Sequence, residues 1–163
     1  MANKALYILA GYDNDTEQYL AGIQNTLYEN GFVGTQTKNI PMHTTLGSFP
    51  TDKEDELVAF LKQLSSETQA FDVTFNHVGI FSGERVLFVA PDASFKLLEL
   101  KEKFGPSHGW APHTTMIIDE PETMYKALPI VMQNFKSFSG KVTSLHLYEF
   151  FPTRHILTVD FCE

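Results

Sequence analysis

Apolar and polar positions follow two rhythms along this chain, and their succession sketches a fold. Residues 4–10 carry an unbroken apolar run, Leu6-Tyr7-Ile8-Leu9-Ala10, which reads as a buried strand. Asp13-Asn14-Asp15-Thr16 are helix-start residues. Behind them Tyr19, Leu20, Ile23, Leu27 and Tyr28 recur at helical spacing up to Asn30-Gly31. Residues 40–47 read as a second strand. Thr51-Asp52-Lys53-Glu54 has the form of a capping box, opening a helix with Leu57, Val58, Phe60, Leu61 and Leu64. Residues 71–81 alternate as a strand and turn at Ser82-Gly83-Glu84 into a partner at 85–90. Pro91-Asp92-Ala93-Ser94 opens a third helix to about Phe104. A loop rich in Gly, Pro and His over 105–112 leads into another strand. A fourth helix runs from Pro121 to about Phe135 with Pro129 inside it. Residues 141–151 and 154–161 form a closing hairpin around Pro152-Thr153. The predicted order is β-α-β-α-β followed by β-α-β-α-β-β.

That order holds a repeat. His43-Thr44-Thr45-Leu46 reappears as His113-Thr114-Thr115-Met116, each shortly after a proline, Pro41 or Pro112. Further on, Val73, Thr74, His77, Phe81 and Arg85 coincide with Val142, Thr143, His146, Phe150 and Arg154 at a shift of 69. Unrelated sequences would share about one identity over that window. Two copies of so long a unit do not make a solenoid. The expectation is an α+β fold: one bilobal domain over 1–163 with an internal pseudo-two-fold repeat (halves 1–84 and 85–163). Antiparallel-rich sheets would surround a central cleft, with helices outside.

On a strand, residues i and i+2 face the same way. His43 and Thr45 therefore share a face, as do His113 and Thr115. Brought together, they give one cleft two imidazoles and two hydroxyls, which suits proton transfer beside a held oxyanion. The alternative for any single histidine is a hydrogen-bonded structural role. Duplicated core positions would favour Val, Leu or Phe, however, rather than His and a hydroxyl on one face. His77 and His146 read as structural residues or as partners that fix a tautomer. Arg85 and Arg154 could hold hairpins or contact phosphate. Trp110, Phe49, Tyr12 and Tyr148 are candidates to stack on a base, with packing in the core or rim as the alternative. His108 and His155 read as surface residues. Zinc sites gather three or four ligands, often with a closely spaced pair. The nearest short histidine pair here is His108 and His113, so no metal and no other cofactor is expected. A nucleotide-triphosphate phosphate loop and a Gly-x-Ser-x-Gly elbow are both lacking.

Composition narrows the substrate. The chain of 163 residues is 43% hydrophobic with 14 Phe, enough for a sizeable core. Cys162 is its one cysteine, so no internal disulfide framework exists. The first apolar run is too short for a membrane span and lacks the features of a signal peptide, so the cytoplasm and no membrane partner are expected. Twelve Lys+Arg against 20 Asp+Glu leave a net charge of −8. A protein gripping many phosphates carries the opposite balance. A small nucleotide or a short RNA end is therefore expected, bound by a monomer, rather than a long nucleic acid.

Two His-x-Thr-hydrophobic motifs about 70 residues apart resemble the 2H phosphoesterase superfamily, which includes 2′-5′ RNA ligase-like proteins and cyclic nucleotide phosphodiesterases. Residues 6–10, Ile40-Pro41-Met42-His43-Thr44-Thr45-Leu46-Gly47-Ser48-Phe49, Gly79-Ile80-Phe81 with 85–89, and Ala111-Pro112-His113-Thr114-Thr115-Met116 carry the resemblance over nearly the whole chain. It implies a bilobal fold with the motifs facing each other and no metal requirement. It places catalytic histidines at His43 and His113 and phosphate-binding hydroxyls at Thr45 and Thr115. The expected activity is metal-independent hydrolysis of 2′,3′-cyclic phosphates or related small nucleotide or RNA-end diesters by two-histidine acid/base catalysis, with nucleotide or RNA-end binding without turnover, or 2′-5′ RNA ligase-like activity, as the alternatives.

Overall fold

The computed structural model describes residues 3–163. Twelve elements appear in the expected order. They are β1 (Ala5–Tyr12), α1 (Asn14–Glu29), β2 (His43–Phe49), a 3-10 turn (Thr51–Lys53), α2 (Glu54–Glu67), β3 (Phe71–Phe81), β4 (Val86–Pro91), α3 (Phe95–Glu102), β5 (Thr114–Ile118), α4 (Pro121–Asn134), β6 (Phe138–Phe150) and β7 (Arg154–Asp160).

Capping chemistry explains several boundaries. Asp13 Oδ2 accepts from the Thr16 backbone N–H at 3.3 Å and starts α1, and the Ser94 hydroxyl accepts from Leu97 N–H and starts α3. The capping box expected at Thr51 does not form. Its residues make the 3-10 turn, and α2 begins at Glu54 without a side-chain cap. Glu54, Asp55 and Glu56 oppose the helix dipole there instead. β2 starts at His43 rather than at residue 40, because Pro41 has no N–H to give a ladder.

All seven strands share one antiparallel sheet, ordered β2-β1-β6-β3-β4-β5, with β7 also on β6. β6 makes this possible by its length of 13 residues. One of its edges pairs with β1. The other pairs first with β3, through Phe138 to Val142, and then with β7, through Ser144 to Glu149. The path reads as two three-strand groups, β2-β1-β6 and β3-β4-β5, related by a two-fold between β6 and β3.

Bulges set the correspondence between the halves. The β3–β4 ladder jumps from Phe75 to His77, leaving Asn76 extra, and the β6–β1 ladder jumps from Val142 to Ser144, leaving Thr143 extra. Asn76 therefore corresponds to Thr143, and Gly79 to His146. His77 and His146, matched at a shift of 69, do not occupy equivalent places. Nor do Arg85, in the turn before β4, and Arg154, on the β7 strand that has no counterpart.

Leu6, Ile8, Ala10 and Tyr12 of β1 face the main core. There they meet Leu20, Ile23 and Leu27 of α1, Leu57, Leu61 and Leu64 of α2, and Met124, Ala127 and Val131 of α4. Fully burying each such large aliphatic side chain contributes about 1.5–3 kcal/mol. The opposite face carries two smaller clusters. Leu9, Tyr148 and Phe150 lie in one half, and Val86, Phe88 and Ala90 in the other. The motif strands run beside these clusters. No helix among the described residues is long and apolar enough to cross a membrane.

Candidate active site

β2 and β5 are the two ends of the strand path, yet they touch each other, so the sheet curls until its edges meet. Strand alternation then sorts the motif side chains. Thr44, Leu46, Thr114 and Met116 are buried, whereas His43, Thr45, His113 and Thr115 are half-exposed on the other face. Upstream, both carboxylate oxygens of Glu17 on α1 accept from the Met42 backbone N–H, at 3.0 and 2.9 Å. Burial pushes the Glu17 carboxyl up, against the opposing effect of that hydrogen bond.

Both histidines are oriented in the same way. His43 Nδ1 lies 2.7 Å from the Pro41 carbonyl and His113 Nδ1 lies 2.9 Å from the Ala111 carbonyl. A carbonyl only accepts, so each Nδ1 carries hydrogen and each Nε2 is left for other partners. Their surroundings differ. Burial lowers the His43 pKa, with the neighbouring His113 charge adding to the effect and the Pro41 hydrogen bond opposing it. His113 rests on aromatic rings, with centroids 4.8 Å from Phe81 and 5.4 Å from Phe88.

His43, Thr45 and Thr115 line a cavity of about 230 Å³, open to solvent and walled by Tyr7, Phe150 and Phe151. His113 lines an adjoining groove with Phe81 and Trp110. The cleft thus has an aromatic-walled chamber on the His43 side and an open groove on the His113 side.

His146 adds a third imidazole. Leu9 of β1 pairs with Thr45 on one side and His146 on the other, and Gly11 pairs with His43 and Ser144. A Cβ at Gly11 would stand 2.5 Å from His146 Nε2, so the ring crosses β1 over the missing side chain toward His43. His146 Nδ1 lies 2.8 Å from Thr158 Oγ1, which His155 Nε2 also contacts at 2.8 Å. Burial, followed by the charge of His43, lowers the His146 pKa to about 4. His146 is neutral at physiological pH.

Other expectations resolve differently. Tyr12 is buried and its hydroxyl contacts Thr44 Oγ1 at 2.5 Å and Thr114 Oγ1 at 2.8 Å, so it is no stacking surface. Tyr148 is buried in a small cluster, and Phe49 packs against the main core. Trp110 is half-buried, with Lys101 Nζ 5.8 Å from its ring centroid. Arg85 pairs with Glu120. Arg154 pairs with Glu54 at 2.5 Å and Glu149 at 3.2 Å, so both guanidinium groups are engaged by carboxylates. His77 is exposed, 3.8 Å from Asp92, and His108 is exposed. Among the described residues no three His, Cys, Asp or Glu side chains cluster closely enough to hold a metal ion. Thr44 and Thr114 were not singled out by the motif. A hydroxyl repeated at the buried position of both copies is their signal, since a buried hydroxyl needs a partner.

Comparison with curated proteins finds no match. Solved structures give the fold. E. coli LigT complexed with ATP superposes with a TM-score of 0.65 at 16% identity, over 98% of each chain. Its complex with 3′-AMP gives 0.65 at 15%, over 99% of this chain and 100% of that one. TT0787 of Thermus thermophilus gives 0.63 at 13%, over 96% and 97%. The family model of the 2′-5′ RNA ligase superfamily matches residues 31–150, which include both motifs. On that match, this chain belongs to the 2′-5′ RNA ligase superfamily of 2H phosphoesterases.

Proposed function

We propose that this protein is a metal-independent phosphodiesterase that hydrolyses 2′,3′-cyclic phosphates or related small nucleotide or RNA-end diesters. The observation carrying this reading is the matched presentation of His43 and His113. Each imidazole has its Nδ1 committed to a carbonyl two residues upstream, and each is followed two residues later by a half-exposed threonine, Thr45 or Thr115. Similarity in fold to E. coli LigT, solved with ATP and with 3′-AMP, fits a nucleotide-sized ligand.

In this reading His43 is the base. Its burial favours the neutral form, whose Nε2 lone pair can accept a proton. With His43 as the base, His113, whose ring lies against Phe81 and Phe88, is the acid. Water attacks phosphorus in line with the departing ribose oxygen. His43 takes the water proton and becomes charged, while His113 gives its proton to the ribose oxygen and becomes neutral. The product is a phosphomonoester, and exchange with solvent restores both histidines. Thr45 and Thr115 donate to the non-bridging oxygens and stabilise their developing charge. Tyr7, Phe150 and Phe151 offer stacking surface to the base.

Hydrolysis of a 2′,3′-cyclic mononucleotide in excess EDTA tests this. Turnover is expected, and His43→Ala or His113→Ala should each lower it by about 10²-fold or more while leaving the fold intact. Loss of the wild-type rate on chelation, restored by zinc, would replace the reading.

A further inference from the structure

β2 and β5 lie at opposite ends of the strand path; among the described residues β2 is hydrogen-bonded only to β1 and β5 only to β4. Among the described residues no backbone ladder joins β2, which His43 opens, to β5, which begins just after His113. One side chain of β1 reaches both of them. The Tyr12 hydroxyl contacts Thr44 Oγ1 at 2.5 Å and Thr114 Oγ1 at 2.8 Å, spanning 32 and 102 residues of sequence.

We propose that Tyr12 is a positioning residue that sets the separation of His43 and His113 through hydrogen bonds to Thr44 and Thr114. This rests on the two-histidine phosphodiesterase reading. Each threonine lies between the two functional side chains of its motif: Thr44 between His43 and Thr45, Thr114 between His113 and Thr115. On a pleated strand, fixing the buried side chain fixes the neighbours that point the other way. All three hydroxyls are buried, with Thr44 and Thr114 each 1% exposed and Tyr12 8%, so water does not compete for them. The Tyr12 ring is itself held, 5.3 Å from Phe75 in an edge contact. Catalysis by two groups on one phosphate depends on their spacing, and misplacement by about 1 Å costs about 10²-fold in rate.

Tyr12→Phe removes the hydroxyl and keeps the ring. Thr44→Val with Thr114→Val removes the other two hydroxyls and keeps the branched shape. With cyclic-nucleotide hydrolysis as readout, each variant should lose about 10-fold or more in kcat with KM changed less than about threefold, measured on folded protein. The triple variant should lose no more than the worse of the two, because all remove one linkage. Inorganic phosphate gives a second readout. The ring protons of His43 and His113, followed by NMR, should shift with one midpoint in the wild type, and that midpoint should rise about 10-fold in Tyr12→Phe. A folded Tyr12→Phe with wild-type kcat and phosphate midpoint overturns the proposal, as do losses that multiply in the triple variant. A wild type that binds phosphate at both histidines without turnover refutes the hydrolase reading alone. The linkage then stands or falls on the Tyr12→Phe midpoint. A wild type that does neither sinks both.

Discussion

Replacing Gly11 by alanine perturbs the site through a single methyl group. Its Cβ would stand 2.5 Å from His146 Nε2 and 3.1 Å from His146 Cδ2, with Ser144 Oγ closer still, where ordinary contacts begin near 3.4 Å. Ser144 Oγ can rotate away. His146 cannot yield cheaply, because the residue is only 9% exposed and its Nδ1 is held by Thr158. Overpacking of this kind costs about 1–3 kcal/mol. For a domain of this size that is a fall of roughly 3–10 °C in Tm. His146→Ala should remove most of the clash, so adding Gly11→Ala in that background should cost less than about 1 kcal/mol. Thermal unfolding of the four proteins near neutral pH, followed by circular dichroism, supplies the cycle. A Gly11→Ala penalty of the same size in both backgrounds, or none in the wild type, would refute the packing of His146 over β1.

Stability should also fall on mild acidification. The folded-state pKa of His146 lies at about 4, below the unfolded value of 6.5, so its contribution is complete above pH 6.5 and disappears as pH drops through 4. The depression corresponds to about 3 kcal/mol, and His146→Phe should flatten that part of a chemical-denaturation profile against pH. The rate should be bell-shaped in pH. Burial lowers the His43 pKa, so the acidic limb should lie below 6.5, and a limb above that value would remove His43 as the base. Thr45→Val and Thr115→Val should each reduce kcat by about 10²-fold, the scale for losing one donor to a developing oxyanion. With a net charge of −8, a long RNA should exceed a cyclic mononucleotide bearing the same end by less than about 100-fold in kcat/KM. A larger gain with steep salt dependence would point to an RNA-processing or ligase-like role.

The element order was readable because its determinants are local. Leu20, Ile23 and Leu27 recur at helical spacing, and Asp13 and Ser94 carry their capping chemistry in the adjacent sequence. The face shared by His43 and Thr45 follows from the pleat alone. Contacts between distant segments were not readable in the same way. The Tyr12 hydroxyl meets a threonine 102 positions away, which no window along the chain brings into view. The matching of His77 with His146 failed for a geometric reason. Anchored on the equivalent bulges Asn76 and Thr143, the structural correspondence lies two residues away from the one the identities gave, so shared residue types matched unequal places. At Thr51 the pattern of a capping box was present, but the chain closed a tighter turn after Pro50.

The near-symmetry of the sheet raises a question of direction. A phosphodiester has two ester oxygens, and a cleft built from two copies of one motif offers a histidine and a hydroxyl to either of them. Symmetry alone would let the diester enter both ways round, with only one orientation delivering the acid to the correct leaving oxygen. The two sides of the cleft are unequal in shape, however. Tyr7, Phe150 and Phe151 wall the His43 side, whereas Phe81 and Trp110 line the groove beside His113. Phe150 and Phe151 stand at the end of β6, where the chain turns into β7, the strand that only one half possesses. If the site binds a diester as proposed, the added strand β7 is what would give a two-way site its polarity. On the proposed phosphodiesterase reading, the side walled by Tyr7, Phe150 and Phe151 would receive the nucleobase, and the leaving oxygen would point toward His113.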